Sequence, residues 1–214
     1  MSRHVKLYAL LRAVGYRLTP PRPMEVLSRD FARAVRALTP AQQPYAWPVE
    51  AGGWRTILTP RCRAAILDDR DPRIRAGVEI SIAALTTIYT RCRSAEVVLL
   101  VVLLPTKESV FWPRVQAIAP PEVAALVADE ARLRKELQGA LERVGIPYLD
   151  ALPALQEGTS QPYFEDIDGH LNDVGHDIVE RLVASWLRHR SASIERRHPV
   201  LPARVRSDVA PGDS

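Results

Sequence analysis

Hydrophobic residues along the chain are arranged in one unbroken run and in several repeats with helical spacing. The unbroken run covers residues 97–104, where valine and leucine follow one another until Pro105. A strand with one exposed face would alternate between apolar and polar residues, so continuous apolarity predicts a strand that is covered on both faces. Such strands are typical of parallel sheets flanked by helices. A second, shorter strand is predicted at residues 146–150, directly after Gly145.

Helical spacing accounts for most of the other apolar positions. A helix over residues 121–144 would join the two predicted strands, and a strand, a helix and a strand in this order form a βαβ unit. Asp71 followed by proline is typical of a helix start, and the apolar spacing continues that helix to about Arg93. A last helix is expected to begin at Asn172 or Asp173, either of which can cap it.

The N-terminal part of the chain gives a weaker pattern. An apolar stripe in residues 1–18 predicts an amphipathic helix docked on the body, and residues 26–38 predict a second, short helix. Residues 39–53 are rich in prolines and aromatic residues, which predicts a long surface loop, and a strand at residues 55–58 is doubtful. A doubly wound α/β domain has about five or six strands. A partner for the apolar run at residues 97–104 is therefore missing.

Composition indicates a globular domain with a basic extension. The 214 residues are 47% hydrophobic and 25% charged, and the net charge of +4 comes from scattered arginines. Arginines are enriched after Trp186, among prolines and without any aromatic residue. We therefore expect a partial α/β domain at residues 1–190 and a disordered basic tail at residues 191–214. We expect no nucleic-acid partner, because a specific surface would interleave basic and aromatic residues.

The cysteines and the N-terminal residues indicate the cellular compartment of the chain. Cys62 and Cys92 form no Cys-x-x-Cys motif and have no histidine at metal-ligand spacing, so both are predicted to be reduced thiols. The sequence has no cofactor motif, no apolar run of membrane-spanning length and no secretory pattern after Met1. The chain as written is expected to be cytoplasmic, with no cofactor and no membrane segment. Its location stays open if a signal or an anchor has been lost.

The candidate chemistry lies in a turn before the last helix, where Asp168, Gly, His170, Leu and Asn172 follow one another. A carboxylate two residues before an imidazole can accept a hydrogen bond from Nδ1 and leave Nε2 free as a general base. The same spacing also occurs in turns where the carboxylate caps a helix and the imidazole is solvated. A metal site of His170, His176 and Asp166 or Asp168 is a third interpretation, although no further nitrogen or sulfur ligand is evident.

This turn, with Gly175 and His176 after it, resembles the last conserved block of the SGNH (GDSL-type) ester hydrolases. Residues 103–110, Leu-Leu-Pro-Thr-Lys-Glu-Ser-Val, are similar to the end of a sheet strand in one bacterial branch of that superfamily, and residues 6–12 resemble a helix of the same branch. The similarity covers roughly residues 2–188. It implies a flavodoxin-like three-layer α/β/α fold with a parallel sheet, incomplete here at its N-terminal side.

The resemblance also implies a serine nucleophile after the first strand and an oxyanion hole shared among three early blocks. Only the acid and the base carry over: Asp168 as the orienting acid and His170 as the base, with Asp166 as an alternative acid. The commoner family spacing is Asp-x-x-His, whereas this chain has Asp-x-His and lacks the early blocks. A Gly-Asp-Ser at residues 212–214 has no strand before it, and Ser109 follows a strand but in a setting that suits a helix start.

We therefore expect the C-terminal part of an SGNH-type esterase or O-acyltransferase. Its substrate would be an ester, such as an O-acylated carbohydrate, and the isolated chain would be inactive because nucleophile and oxyanion donors are missing. The alternative is a non-catalytic α/β module that completes the sheet of a partner, or a gene remnant. A reading frame that begins too late would explain the same pattern.

Overall fold

The computed structural model describes the backbone of residues 31–197 and the side chains through residue 190. The helices, in chain order, are α1 (Phe31–Arg36), α2 (Pro60–Leu67), α3 (Pro72–Ser94), α4 (Lys107–Val115), α5 (Pro121–Val144), α6 (Leu152–Glu157) and α7 (Asp173–Arg197). The strands are β1 (Trp47–Ala51), β2 (Trp54–Leu58), β3 (Val101–Leu103) and β4 (Tyr148–Asp150). The described chain is thus mixed α/β, with small sheets.

β1 and β2 form an antiparallel hairpin where the sequence predicted a loop over residues 39–53. The turn consists of Gly52 and Gly53, whose φ angles of 58° and 78° favour glycine. The loop prediction is wrong for β1, because Pro48 and the aromatic residues that suggested a loop are compatible with an edge strand. The doubtful strand at residues 55–58 is confirmed as most of β2.

The main hydrophobic core lies between the hairpin, α4, α6 and the start of α7. Its buried residues include Val49, Trp54, Leu58, Val110, Phe111, Val115, Leu155, Tyr163 and Leu171. Trp54 and Phe111 meet edge to face, with ring centroids 5.2 Å apart. Tyr163 and Leu171 bracket the turn that contains His170, and an isolated antiparallel bridge joins them. The base of the turn is therefore anchored in this core.

The predicted βαβ unit is confirmed. β3 and β4 are parallel neighbours joined by α5, and Leu103, Leu141 and Ile146 form a second buried cluster between them. Gly145 ends α5 with a φ of 80°, the left-handed conformation typical of a glycine after a helix. β3 is shorter than the apolar run at residues 97–104, since no described strand pairs with the first part of that run.

Each of the two sheets in residues 31–197 contains two strands. A flavodoxin-like three-layer fold requires a wider parallel sheet, so it stays a prediction. A groove of about 570 Å³ lies between β3, α3 and α5. Apolar side chains dominate its lining, among them Ile66, Ile74, Val78, Val102, Leu133 and Leu137.

The predicted helix starts at Asp71 and Asn172 are confirmed. The Asp71 carboxylate accepts a hydrogen bond from the N–H of Arg73 at 2.8 Å, and Oδ1 of Asn172 accepts one from the N–H of Gly175 at 3.0 Å. Both side chains satisfy amide groups that a helix start leaves without a partner. Asn172 therefore fixes where the turn with His170 ends and where α7 begins.

The ends of the chain are only partly described. α7 continues to Arg197, so residues 191–197, the first part of the tail that was expected to be disordered, are helical. The predictions for residues 1–30 and 198–214, including the amphipathic helix and the C-terminal Gly-Asp-Ser, lie outside the described residues. Among the helices within residues 31–197, none combines the length and the apolarity needed to cross a bilayer.

Candidate active site

Asp168 and His170 form a hydrogen-bonded pair on the turn before α7. Oδ1 of Asp168 lies 2.5 Å from Nδ1 of His170 and accepts the backbone N–H of the same histidine at 2.9 Å. The imidazole is 87% exposed and the carboxylate 34% exposed. No residue in the described part of the chain makes a hydrogen bond with Nε2 of His170. The pair therefore presents Nε2 to the surroundings, as a general base requires.

The neighbouring carboxylate, Asp166, has a different partner. Its Oδ1 accepts the backbone N–H of Asp168 at 2.8 Å, so that one aspartate orders the backbone of the other. The imidazole of His170 is thus paired with Asp168 and not with Asp166. This geometry agrees with the assignment of Asp168 as the acid.

The charge state of Asp168 suits its position beside the imidazole. Partial burial acts to raise the pKa of this carboxyl, but the hydrogen bonds from the His170 ring and backbone outweigh it and hold the pKa below its ordinary value. The positive charge of Lys107 acts in the same direction. Asp168 is therefore ionised at neutral pH, which strengthens the hydrogen bond that it accepts from Nδ1–H.

The turn lies at the carboxyl end of β3. The Tyr163 hydroxyl donates a buried hydrogen bond to the carbonyl of Pro105, two residues past the strand, at 2.7 Å. Burial raises the pKa of Tyr163, so this hydroxyl stays protonated and remains a donor. In sheets flanked by helices, the carboxyl ends of parallel strands are where functional loops converge. The observed position of Asp168 and His170, close to the carboxyl end of β3, agrees with this general pattern.

Three charged side chains lie beneath the turn: Lys107, Glu108 and Arg63. Lys107 and Glu108 are each 1% exposed. Glu108 accepts the backbone N–H of Thr59 at 2.8 Å, and its other oxygen lies 3.1 Å from Nε of Arg63, an ion pair without hydrogen-bond geometry. Burial lowers the pKa of Lys107 to about 8, against the attraction of Asp166 and Glu108.

Sequence reasoning missed this buried cluster. The Pro-Thr-Lys-Glu segment predicts a helix start, and Oγ1 of Thr106 indeed caps α4 by accepting the N–H of Ser109 at 3.3 Å. The signal that was available is the position of two charged residues, Lys107 and Glu108, directly after a strand covered on both faces. Charged residues at that place in a chain enter the interior and need partners.

Ser109 has a structural role. It is 4% exposed, and its hydroxyl donates to Oε2 of Glu130 at 2.6 Å. Glu130 also pairs with Arg134 at 2.5 Å, and Arg134 reaches Asp150 at the end of β4 at 2.8 Å. This network ties α5 to the carboxyl ends of β3 and β4. A hydroxyl held in this way is not available to His170 as a nucleophile.

The metal interpretation of the histidines gains no support from the geometry. His176 is exposed on the first turns of α7. Within the described residues, no three histidine, cysteine, aspartate or glutamate side chains come together as metal ligands could. Both cysteines are free thiols, with Cys62 exposed and Cys92 half-buried.

Comparisons of the chain with protein-family models, with curated proteins and with solved structures give no match.

Proposed function

We propose that this chain supplies the acid and the base of an SGNH-type ester hydrolase or O-acyltransferase. The observation that carries the proposal is the pair of Asp168 and His170, in which Nδ1 is held by the carboxylate while Nε2 is open. This arrangement orients the imidazole and stabilises the imidazolium that forms when Nε2 takes a proton. The position of the pair beyond β3 and the resemblance of the Asp-Gly-His-Leu-Asn block support the same reaction class.

In this reaction Nε2 of His170 removes the proton of a serine hydroxyl as Oγ attacks the carbonyl carbon of an ester. The proton then passes to the leaving alkoxide, the carbon–oxygen bond of the ester breaks, and an acyl-serine remains. His170 next activates water in a hydrolase, or the hydroxyl of an acceptor in a transferase, and the acyl group leaves the serine. An O-acylated carbohydrate is the substrate class that fits the resemblance.

The serine would come from a further segment that is not among these 214 residues. Within residues 31–197, β3 pairs on one side only, so its other edge would accommodate a further parallel strand. A serine that follows such a strand would lie at the carboxyl edge, which is also where His170 stands. As an isolated chain, the protein should then have no esterase activity, because His170 alone provides neither nucleophile nor oxyanion donors.

A second candidate function rests on the same edge. α3 buries none of its residues, and Ile80 and Ile88 on it are 68% and 46% exposed. An apolar helix face beside an open strand edge fits a non-catalytic module that completes the sheet of another polypeptide. In that case the pair of Asp168 and His170 would serve only to shape the turn.

Two polypeptides separate these candidates. The first is the chain of 214 residues, and the second is the same chain extended by the residues encoded in frame upstream of Met1. Each is treated with a serine-directed fluorophosphonate and assayed with an aryl acetate. We expect labelling and turnover only in the extended form, and only if the extension carries a Gly-Asp-Ser block. An upstream sequence without that block would favour the sheet-completing module.

His170→Ala and His176→Ala form a matched pair for the extended form. Both remove an exposed histidine close to the start of α7, but only His170 is paired with a carboxylate. The His170 variant should lose labelling and turnover, and the His176 variant should keep both. Equal activity of the two variants would contradict the assignment of His170 as the base.

A further inference from the structure

The buried ammonium of Lys107 donates two hydrogen bonds to the segment before Asp168 and a third to Thr56, which also contacts that segment. Nζ donates to the carbonyl of Asp166 at 2.8 Å, to the carbonyl of Phe164 at 3.0 Å and to Oγ1 of Thr56 at 2.9 Å. An ammonium has three protons, so each proton has one acceptor. The Thr56 hydroxyl in turn donates to the same carbonyl of Phe164 at 2.9 Å.

These contacts link three parts of the fold. Thr56 is in β2, Lys107 is the first residue of α4, and the two carbonyls belong to the irregular segment that leads to Asp168. That segment has no regular secondary structure, so its carbonyls lack the partners that a helix or a sheet would provide. Lys107 supplies those partners from beneath, where water does not reach.

The burial of an ammonium as the donor to two carbonyls is energetically unfavourable in itself. Desolvation of a charged group costs free energy, and burial accordingly lowers the pKa of Lys107 to about 8. A hydroxyl could donate to only one of these oxygens, whereas the ammonium donates to both and to the threonine together. Lys107 thereby links α4 to the backbone of Asp166, whose side chain in turn accepts the backbone N–H of Asp168.

We propose that Lys107 is a positioning residue that holds the turn of Asp168 and His170 in place over β2 and α4. The proposal rests on the function proposed above, because a fixed turn matters only if His170 meets a substrate. Lys107 itself lies beneath the backbone and touches no reacting atom. It acts through the carbonyls of Phe164 and Asp166.

The test compares backbone order in the folded chain of 214 residues. Amide order parameters from ¹⁵N relaxation are measured for wild type, for Lys107→Met and for Ser109→Ala. The control removes a buried hydrogen bond from the same helix, but one that points to Glu130 and away from the turn. In Lys107→Met, the order parameters of the amides of residues 165–170 should fall from about 0.85 to below about 0.6. In Ser109→Ala, these order parameters should stay near the wild-type values.

Thr56→Val provides the same test if Lys107→Met does not fold. It removes the hydroxyl that Lys107 and Phe164 share, with little change in shape, so order should decrease at residues 165–170 by a smaller amount. Unchanged order in a folded variant would overturn the role of Lys107 and leave the proposed function intact. If order is lost in Lys107→Met but the fluorophosphonate still labels the His170→Ala variant of the extended form, the proposed function is overturned. The anchoring role of Lys107 would then remain.

Discussion

The guanidinium of Arg63 lies directly against the backbone of Gly169, between the two residues of the candidate dyad. A Cβ on Gly169 would stand 1.8 Å from Nη2 of Arg63, so no other residue fits without displacing it. The φ angle of Gly169 is not positive, so the glycine is required for space and not for backbone conformation. Arg63 also balances the buried carboxylate of Glu108. The glycine between Asp168 and His170 therefore provides the space that the Arg63 side chain of α2 occupies.

Gly169→Ala should destabilise the protein by no more than about 1 kcal/mol, because the new Cβ would meet only the flexible end of the Arg63 side chain, whose displacement weakens its pair with Glu108. The loss stays below that of removing the arginine, since the end of a long side chain can move. Gly77→Ala is the control: it lies in α3 with no atom near its Cβ position, and it should stabilise by about 1 kcal/mol. Urea unfolding measures both. A loss as large as that of Arg63→Ala would contradict this expectation, because it would show that the arginine cannot move aside.

The elements that the sequence predicted well are those with a local cause. The helix at residues 121–144, the start of α7 and the pairing of Asp168 with His170 each follow from neighbours within a few residues. What the sequence did not reveal depends on distant partners. Lys107 meets Phe164 and Asp166 across more than fifty residues of chain, and nothing in a linear pattern specifies that contact.

Stability should rise with pH between about 8 and 10 through Lys107. Its pKa is lowered to about 8 in the folded protein from 10.5, so the unfolded chain binds more protons in this interval and is increasingly disfavoured as pH rises. One such group contributes at most about 1.4 kcal/mol per pH unit. Above about pH 10 the raised pKa of Tyr163 acts in the opposite direction, because the unfolded tyrosine ionises first.

Urea unfolding at pH 7, 8 and 9.5 checks this dependence, and the difference between wild type and Lys107→Met isolates it. Wild type should gain stability relative to the variant from pH 8 upward, as its buried ammonium loses a proton. A difference that stays flat over this range would show that the ammonium is not destabilised by burial.

Ser109→Ala should leave any His170-dependent labelling of the extended form unchanged. The Ser109 hydroxyl is committed to Glu130, so its removal costs stability, by about 1–2 kcal/mol, and not chemistry. Labelling is read by in-gel fluorescence, and stability by urea unfolding. Loss of labelling at full stability would make Ser109 the nucleophile and would contradict a serine from another segment.

In the extended form, changing each aspartate of the turn to asparagine should reduce turnover by very different factors. Asp168→Asn removes the acceptor for Nδ1–H, so the imidazole can adopt the wrong tautomer, and turnover should fall by about 10³–10⁴-fold. Asp166→Asn keeps an oxygen for the backbone N–H of Asp168 and should reduce turnover by less than about tenfold. Steady-state hydrolysis of an aryl acetate distinguishes the two. A larger loss in the Asp166 variant would transfer the role of the acid to that residue, and small losses in both would leave His170 without an orienting carboxylate.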